Sequence, residues 1–288
     1  MDPIKKDQCS LINFADSNLS KWRSALQGYA EMYGHIFIVS DTETTGTSYI
    51  DKRTKEFHRV VEWSSIFMYK DDDGLLKPCT DRSGQTICVD EPINPFLGSS
   101  NPNPKMKRSI KAIPADSVEV HGITESYLFG EADSKQLNMD GSQKDAGGLG
   151  VRPATGKIAA SFDVVYSTIL ALLSSDPFRL GQVEVTLVFH NAHFDMSFLN
   201  IETEIWGMKY LESYFSVVDT WKLAKVLVPA SDIGSYTLDA CFEFVKSRYP
   251  ESIEEMERPV HTALIDANIL AQTYNGLVMY RKEQVALA

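Results

Sequence analysis

Two acidic residues stand two positions apart at the end of a short apolar run. Asp41 and Glu43 belong to the sequence Asp-Thr-Glu-Thr-Thr-Gly at 41–46, which follows the apolar stretch at 36–39. In a strand, residues i and i+2 project from the same face, about 7 Å apart along the backbone. Two like charges so placed repel unless a cation lies between them, and carboxylate oxygens suit Mg²⁺ or Mn²⁺. The pair therefore indicates a divalent-metal site, with a solvated turn as the alternative.

A second polar group, His-Asn-Ala-His-Phe-Asp at 190–195, also follows an apolar run. Asp195 would lie at the start of a helix that Asn191 could cap, so that regular backbone would hold the carboxylate. The alternative is that Asp195 only stabilises the helix N-terminus through the helix dipole. Because both groups follow strands, the pattern favours one shared site.

The third group, His-Thr-Ala-Leu-Ile-Asp at 261–266, pairs a histidine with a carboxylate five residues later. Five residues of a regular helix turn through about 500°, which leaves the two side chains about 140° apart. His261 is therefore predicted to precede the helix, near Pro259, and to lean over Asp266. An ordinary surface pair is the alternative.

The elements that must position these groups follow from hydrophobic periodicity. A helix is expected at 20–32 with Ser20 as its N-cap, and strands at 36–40, 60–69 and around 86–89 suggest a meander. A strand at 183–189 follows an amphipathic helix marked by Phe162, Val165, Ile169 and Leu172. Further helices are expected at about 195–212, 220–227, 237–248 and 263–281. This order predicts an α/β fold with a mixed sheet flanked by helices.

The composition is that of a globular protein, with 43% hydrophobic residues over 288 positions and a net charge of −11. The acidic balance argues against non-specific coating of DNA, which needs a broad basic face, but not against an enzyme that grips a few nucleotides. No run reaches the ~20 apolar residues of a membrane span, and the N-terminus lacks the apolar core of a signal peptide. The four scattered cysteines form no CxxC pair for zinc and are expected to be reduced. A cytoplasmic protein without membrane contact is predicted.

Taken together, the three groups resemble the motifs of the DEDDh subclass of the DEDD superfamily of 3′-to-5′ exonucleases. The sequences Val-His-Gly-Ile-Thr at 120–124, Val-Asp-Thr at 218–220 and Tyr-Thr-Leu-Asp-Ala at 236–240 agree with it, and the likeness covers about 35–278. Within the family, the greatest likeness is to the epsilon proofreading subunits of bacterial DNA polymerase III. Thr262 occupies the place where the related Tyr subclass has its tyrosine.

The resemblance implies a ribonuclease-H-like fold and a two-metal mechanism with Mg²⁺ or Mn²⁺. It implies that four carboxylates hold the two divalent ions and that His261 is the general base, since histidine titrates near neutral pH. The four implied metal ligands are Asp41, Glu43, Asp195 and Asp266. The residues implied to contact the terminal nucleotide are Thr44, Thr45, Val120, His121, Asn191 and Phe194.

The implied substrate is a nucleic acid with a 3′ end, with single-stranded or frayed DNA favoured over RNA. No residue visibly reads a 2′-hydroxyl, so an exoribonuclease that trims RNA stays an alternative. A non-catalytic binding module is the alternative from another class, although all five catalytic positions are filled. A polymerase or repair partner and a homodimer are also expectations.

Three segments depart from the family pattern. Residues 1–33 are predicted to be an N-terminal extension before an exonuclease domain at 34–281, and 282–288 a short tail. That tail is shorter than the polymerase-binding tail of epsilon, which favours a free-standing or differently docked enzyme. The polar stretch at about 130–160 is predicted to be a flexible insertion. A basic loop at 47–59, with Tyr49 and Phe57, either stacks bases and tracks phosphates or forms a solvated hairpin.

Overall fold

The computed structural model describes residues 16–98, 104–131, 152, 156–254, 256 and 261–287. Its elements, in chain order, are α1 (Asp16–Tyr33), β1 (His35–Thr44), β2 (Val60–Lys70), β3 (Leu76–Pro78), β4 (Cys88–Pro92), α2 (Ala115–His121), α3 (Glu125–Leu128), α4 (Phe162–Leu172), α5 (Asp176–Arg179), β5 (Glu184–Phe189), α6 (Ala192–Trp206), β6 (Ser216–Asp219), α7 (Thr220–Leu227), α8 (Ala230–Ile233), α9 (Leu238–Arg248) and α10 (Ala263–Leu287).

The strands form one mixed sheet with the order β3-β2-β1-β5-β6. β1 pairs antiparallel with β2 and parallel with β5, and β5 pairs parallel with β6. The central position of β1 places the first motif between the two halves of the sheet. This topology, with helices on both faces, confirms the predicted mixed α/β, ribonuclease-H-like fold.

The sheet is buried on both faces because successive residues of β1 face opposite helix layers. Ile36 and Ile38 belong to an apolar cluster that includes residues of α1, α4 and α6. Phe37 and Val39 belong to a second cluster, which includes residues of α10. The alternation explains why β1 reads as a continuous apolar run in the sequence. It also assigns Asp41 and Glu43 to the α10 side and Thr42 to the α6 side.

Several predicted boundaries differ from the structure. α1 begins at Asp16, so Ser20 lies inside the helix and its prediction as N-cap is wrong. β1 continues through Thr44, so the first four residues of the first motif belong to the strand. The three expected strands correspond to β1, β2 and β4, which pair antiparallel in that order as a meander does, and the short β3 also pairs with β2. The eleven residues of β2 are long enough to hold both β3 and β4. The last helix runs to Leu287.

The thiol prediction holds for two residues and fails for one. Cys79 and Cys241 are free and buried. Cys88 is disulfide-bonded, so the expectation of reduced thiols is wrong there. Cys9 and most of the predicted insertion at 130–160 lie outside the described residues. Within the described ranges, no helix is both long enough and apolar enough to cross a bilayer.

Candidate active site

The first motif ends the central strand beside its antiparallel neighbour. In the register of β1 and β2, Asp41 lies opposite Ser64 and Glu43 lies opposite Glu62. The register shifts between Glu43 and Thr44, and such bulges are common next to active sites, where they redirect a side chain. Glu43 is buried and Asp41 is partly buried.

The third motif meets the first on the α10 side of the sheet. His261 precedes α10, and its Nδ1 lies 3.4 Å from Oδ2 of Asp266 in the first helical turn. This is the arrangement predicted from the five-residue spacing. One donor atom from each of Glu43, His261 and Asp266 lies within 4.8 Å of the others. The two carboxylates are buried, whereas the His261 side chain is 44% exposed and accessible to a ligand.

The second motif approaches the end of β1 from the other side. Asp195 lies in the first turn of α6 and is buried. The Thr42 hydroxyl donates a hydrogen bond of 2.8 Å to its Oδ1. Burial raises the pKa of Asp195 above the ordinary range of a carboxyl, while the bond from Thr42 opposes that shift. A nearby cation would favour the ionised form of this buried group.

Asn191 does not cap α6 in the predicted way. It has a left-handed backbone, with φ of 60°, and its side chain makes no capping bond. Its backbone N–H instead donates to Oδ1 of Asp219 at 3.0 Å. The predicted side-chain cap is therefore wrong, and the turn after β5 is tied to the N-terminus of α7 through Asp219. His190 reinforces this connection by bonding Thr220 and the carbonyl of Tyr236, both at 2.9 Å.

A cleft of about 550 Å³ adjoins the acidic cluster at Glu43. This volume lies within the range of ligand pockets, roughly 300–1,000 Å³. Five of the six predicted substrate residues line the cleft, whereas Asn191 is not among its lining residues; the five are Thr44, Thr45, Val120, His121 and Phe194. The lining also includes Asp51 and His58, which belong to the basic loop at 47–59, and Asp116 and Ser117, which sequence reasoning did not identify.

The walls of the cleft are fixed by local contacts. The Thr45 hydroxyl lies 3.3 Å from Nδ1 of His58 and accepts the N–H of Arg59 at 2.8 Å. Gly46 allows the His58 ring to approach, because a Cβ at this position would lie 2.6 Å from the ring. On the opposite wall, Nδ1 of His121 accepts the N–H of Ile123 at 3.0 Å. Burial, together with the charge of Arg152, lowers the pKa of His121 to about 4.

Two buried arginine–glutamate pairs support the site, and neither was predicted. Arg59 pairs with Glu202 of α6, and Arg152 pairs with Glu62 of β2. One signal was present in the sequence, since Glu62 is an acidic residue between the apolar residues Val61 and Trp63 of a predicted strand. The structure buries it completely.

The chain is similar in sequence to the DNA polymerase III epsilon subunits of several bacteria. It is 32% identical over 240 residues to that of Buchnera aphidicola subsp. Schizaphis graminum, which covers 82% of this chain and 72% of the relative. The Rickettsia felis protein is 28% identical over 240 residues, covering 82% and 71%. For two further Buchnera relatives, the matched region covers only about a third of the relative's length, namely 34% of one and 36% of the other. No protein-family model matches the chain.

The chain also has some likeness to solved structures. The nuclease domain of 3′hExo, a DEDDh family member bound to rAMP, has a TM-score of 0.45 and 14% identity, covering 87% of this chain and 91% of its own. Cell-death related nuclease 4 has a TM-score of 0.46 and 13% identity, covering 87% and 64%.

Proposed function

Because the chain belongs to the DEDDh family of 3′-to-5′ exonucleases, which includes the epsilon subunits, we propose that it shortens a nucleic-acid strand from its 3′ end. The products are nucleoside 5′-monophosphates and a strand with a new 3′-hydroxyl. The observation that carries the proposal is the convergence of Glu43, His261 and Asp266 next to a cleft of nucleotide size.

The carboxylates of Glu43 and Asp266 lie close enough to hold one divalent ion, and the proposed pair of ions takes Asp41 and Asp195 as further ligands. Buried carboxylates of β1 and α10 converge, and their mutual repulsion calls for positive charge between them. The ligands in this proposal are Asp41, Glu43, Asp195 and Asp266. When bound, Mg²⁺ or Mn²⁺ ions activate water and stabilise the leaving 3′ oxygen.

His261 acts as the general base in this proposal. Its half-exposed ring can receive the proton of the attacking water, and Asp266 at 3.4 Å stabilises the imidazolium that results. The cleft holds the terminal nucleotide between Thr44 and Thr45 on one wall and Val120 and His121 on the other. Enclosure of the terminal nucleotide would restrict hydrolysis to strand ends.

A basic surface beside the cleft is suited to the strand that leads into it. Two runs far apart in sequence meet here, because Phe57 N–H donates to the carbonyl of Arg108 at 2.7 Å and Arg108 donates to the carbonyl of Lys55 at 2.9 Å. We call this surface the basic ridge; its exposed cations are Lys52, Arg53, Lys55, Lys107, Arg108 and Lys111. The ridge adjoins the cleft through Asp51 and His58. Phosphates of a strand can contact it despite the net charge of −11.

The two aromatic residues of this loop differ in what they can do. Ile50 bridges antiparallel to Phe57, so the loop is locally a hairpin, as one of the two sequence interpretations had it. Phe57 is buried against Ile201 and Ile205, so the prediction that it stacks bases is wrong. Tyr49 is 38% exposed and is the aromatic side chain of the loop that a base can reach.

The proposed substrate is single-stranded or frayed DNA. The support is the likeness to proteins named as subunits of a DNA polymerase. The same likeness supports a polymerase or repair partner and a cytoplasmic location. Trimming of RNA is the alternative activity, and the two substrates differ at each nucleotide by a 2′-hydroxyl.

A time course with matched 5′-labelled DNA and RNA oligonucleotides tests the proposal. With Mg²⁺ or Mn²⁺ we expect a ladder that shortens from the 3′ end, faster on DNA, and no ladder with EDTA. Asp41→Ala should abolish it, because a metal ligand is lost. Asp176→Asn on exposed α5 is the matched control and should behave as wild type. A ladder that forms in EDTA, or equally fast with Asp41→Ala, would refute the two-metal proposal.

A further inference from the structure

Arg152 joins parts of the site that lie far apart in the sequence. Its guanidinium pairs with both carboxylate oxygens of Glu62, with Nη2 at 2.9 Å from Oε2. Nε donates to the carbonyl of His121 at 2.9 Å, and Nη2 donates to the carbonyl of His261 at 3.2 Å. One buried side chain thus contacts β2, the wall of the cleft and the residue proposed as the general base.

Glu62 holds the same segment from its other side. Its Oε2 accepts the N–H of Ala263 at 2.9 Å, at the first residue of α10. The carbonyl of His261 is therefore bound by Arg152, and the N–H two residues later is bound by Glu62. The position of Glu62 is itself fixed, because it lies opposite Glu43 in the register of the sheet.

The backbone of Arg152 adds another connection to the cleft. Its N–H donates to the carbonyl of Gly122 at 2.9 Å, next to His121. The side chain of Arg152 is 8% exposed and that of Glu62 is fully buried, so water competes little for these bonds. Bidentate pairing gives directional hydrogen bonds, and a lysine at this position could not reproduce them.

We propose that Arg152 is a positioning residue for hydrolysis, which fixes the backbone of His261 against β2 so that the imidazole is held beside Asp266. Arg152 makes no described hydrogen bond to a proposed metal ligand, although its charge interacts with that of Glu43. Its effect is exerted through His261 and through the wall of the cleft. The inference rests on the proposed function, in which His261 is the general base.

Arg152→Ala should lower kcat more than it raises KM. Displacement of a catalytic group by about 1 Å can reduce a rate about a hundredfold, so we expect a loss of kcat of roughly 10- to 100-fold. KM should rise less than kcat falls, because Arg152 also binds the carbonyls of His121 and Gly122 beside the cleft. The Mg²⁺ concentration for half-maximal activity should not rise, since loss of a cation near Glu43 does not weaken the attraction for a metal ion. Arg179→Ala, which removes an exposed arginine of α5, is the matched control.

Chemical rescue separates positioning from general destabilisation. Guanidinium chloride at low millimolar concentration should restore part of the kcat of Arg152→Ala, whereas methylammonium chloride should not, since only guanidinium offers the planar fork. Arg152→Lys should retain the charge and still lose most of the rate. Melting temperatures of each variant, measured with Mg²⁺, set an assay temperature at which all are folded. The proposal would be refuted if Arg152→Ala kept the same kcat as the control Arg179→Ala. It would also be refuted if guanidinium restored no more of the lost kcat than methylammonium does.

A second readout needs no activity. Diethyl pyrocarbonate acylates accessible histidines, and peptide mass spectrometry reports each rate separately. We expect the labelling rate of His261 to rise several-fold in Arg152→Ala, while that of exposed His193 stays unchanged. An unchanged rate for His261 would overturn the role of Arg152. If the wild type is inactive, the proposed function is overturned. The labelling rates then still test whether Arg152 holds the backbone of His261.

Discussion

Removal of the Arg59 side chain should destabilise the fold strongly, because it leaves a charge buried without its partner. Nε and Nη2 of Arg59 donate to the two oxygens of Glu202 at 2.6 and 2.7 Å. The residues are 1% and 0% exposed. Nη1 also donates to the carbonyl of Pro95 and to the Ser109 hydroxyl. Arg59→Met removes all four bonds.

The expected cost follows from the buried carboxylate that remains. Breaking a buried pair from one side costs about 3–5 kcal/mol, whereas replacing both partners with apolar residues can be nearly neutral. For a chain of this size, at ~2–4 °C per kcal/mol, the melting temperature of Arg59→Met should fall by about 6–20 °C. In the double variant Arg59→Met/Glu202→Leu, the N–H of Val60 still loses its 3.1 Å acceptor, a cost of about 1–3 kcal/mol.

Urea denaturation of wild type, both single variants and the double variant measures these differences as a thermodynamic cycle. The double variant should be more stable than Arg59→Met and less stable than wild type, with a coupling energy above about 1 kcal/mol. If Arg59→Met lies within about 1 kcal/mol of wild type, or if the two single effects simply add, the pair does not hold the fold in the way inferred.

The proposed base, the buried histidine of the cleft and the basic ridge give three further predictions. His261→Ala should lower the rate by ~10²–10⁴ while Mg²⁺ still raises the melting temperature as in wild type. Burial lowers the pKa of His121 from 6.5 to about 4, so on acidification the unfolded chain takes up a proton at a higher pH than the folded chain does. The contribution of neutral His121 to the free energy of unfolding is therefore fully present above pH 6.5 and is lost as the pH falls toward 4. The loss should reach on the order of 2–3 kcal/mol, and His121→Gln should flatten this pH dependence in urea titrations. Lys52→Gln/Arg53→Gln should raise KM with little change in kcat and reduce the slope of log KM against log salt by about 0.7 per lost phosphate contact.

Each of these has an outcome that would contradict it. Loss of the Mg²⁺ effect in His261→Ala would make that residue a ligand and not a base. A stability curve for His121→Gln that still falls between pH 6.5 and 4 would assign the titration to another group. Lys77→Gln, on β3 in another part of the sheet, is the control for the ridge. An equal change of the salt slope in that variant would show that the effect is one of net charge.

The sequence was sufficient for the long elements and for the order of the motifs, but the short elements β3, α2, α3, α5 and α8 were missed. Apolar periodicity located the strands and helices, because a sheet buried on both faces leaves uninterrupted apolar runs and an amphipathic helix leaves a regular one. Simple helix geometry placed His261 ahead of α10 and beside Asp266, as observed at 3.4 Å. Boundaries were less predictable, since pairing with β2 extends β1 through the polar residues up to Thr44.

The contacts that hold the site together could not be predicted in the same way. Glu202 is 143 residues from Arg59, and Glu62 is 90 residues from Arg152, so no local pattern connects them. Arg152 also lies in a stretch whose composition suggested only flexibility. Phe57 resembled a base-stacking residue because it follows basic residues in a loop, yet tertiary packing against Ile201 and Ile205 buries it.

The two arginine–glutamate pairs explain how like charges are held in position before any cation binds. In the proposed site the carboxylates of the three motifs would repel one another without a cation, so the scaffold must set their geometry. The sheet fixes Asp41 and Glu43, while Arg59–Glu202 ties the segment after the first motif to the helix that carries Asp195. Arg152–Glu62 ties the neighbouring strand to the start of the helix that carries Asp266. Each pair thus connects one flanking motif to the central strands. Each pair also buries two charges, and the attraction between the partners offsets the free-energy cost of burying them. Removal of either arginine should therefore lower both the stability and the rate. Added guanidinium should restore kcat only in the Arg152 variant, and the melting temperature of that variant should stay low.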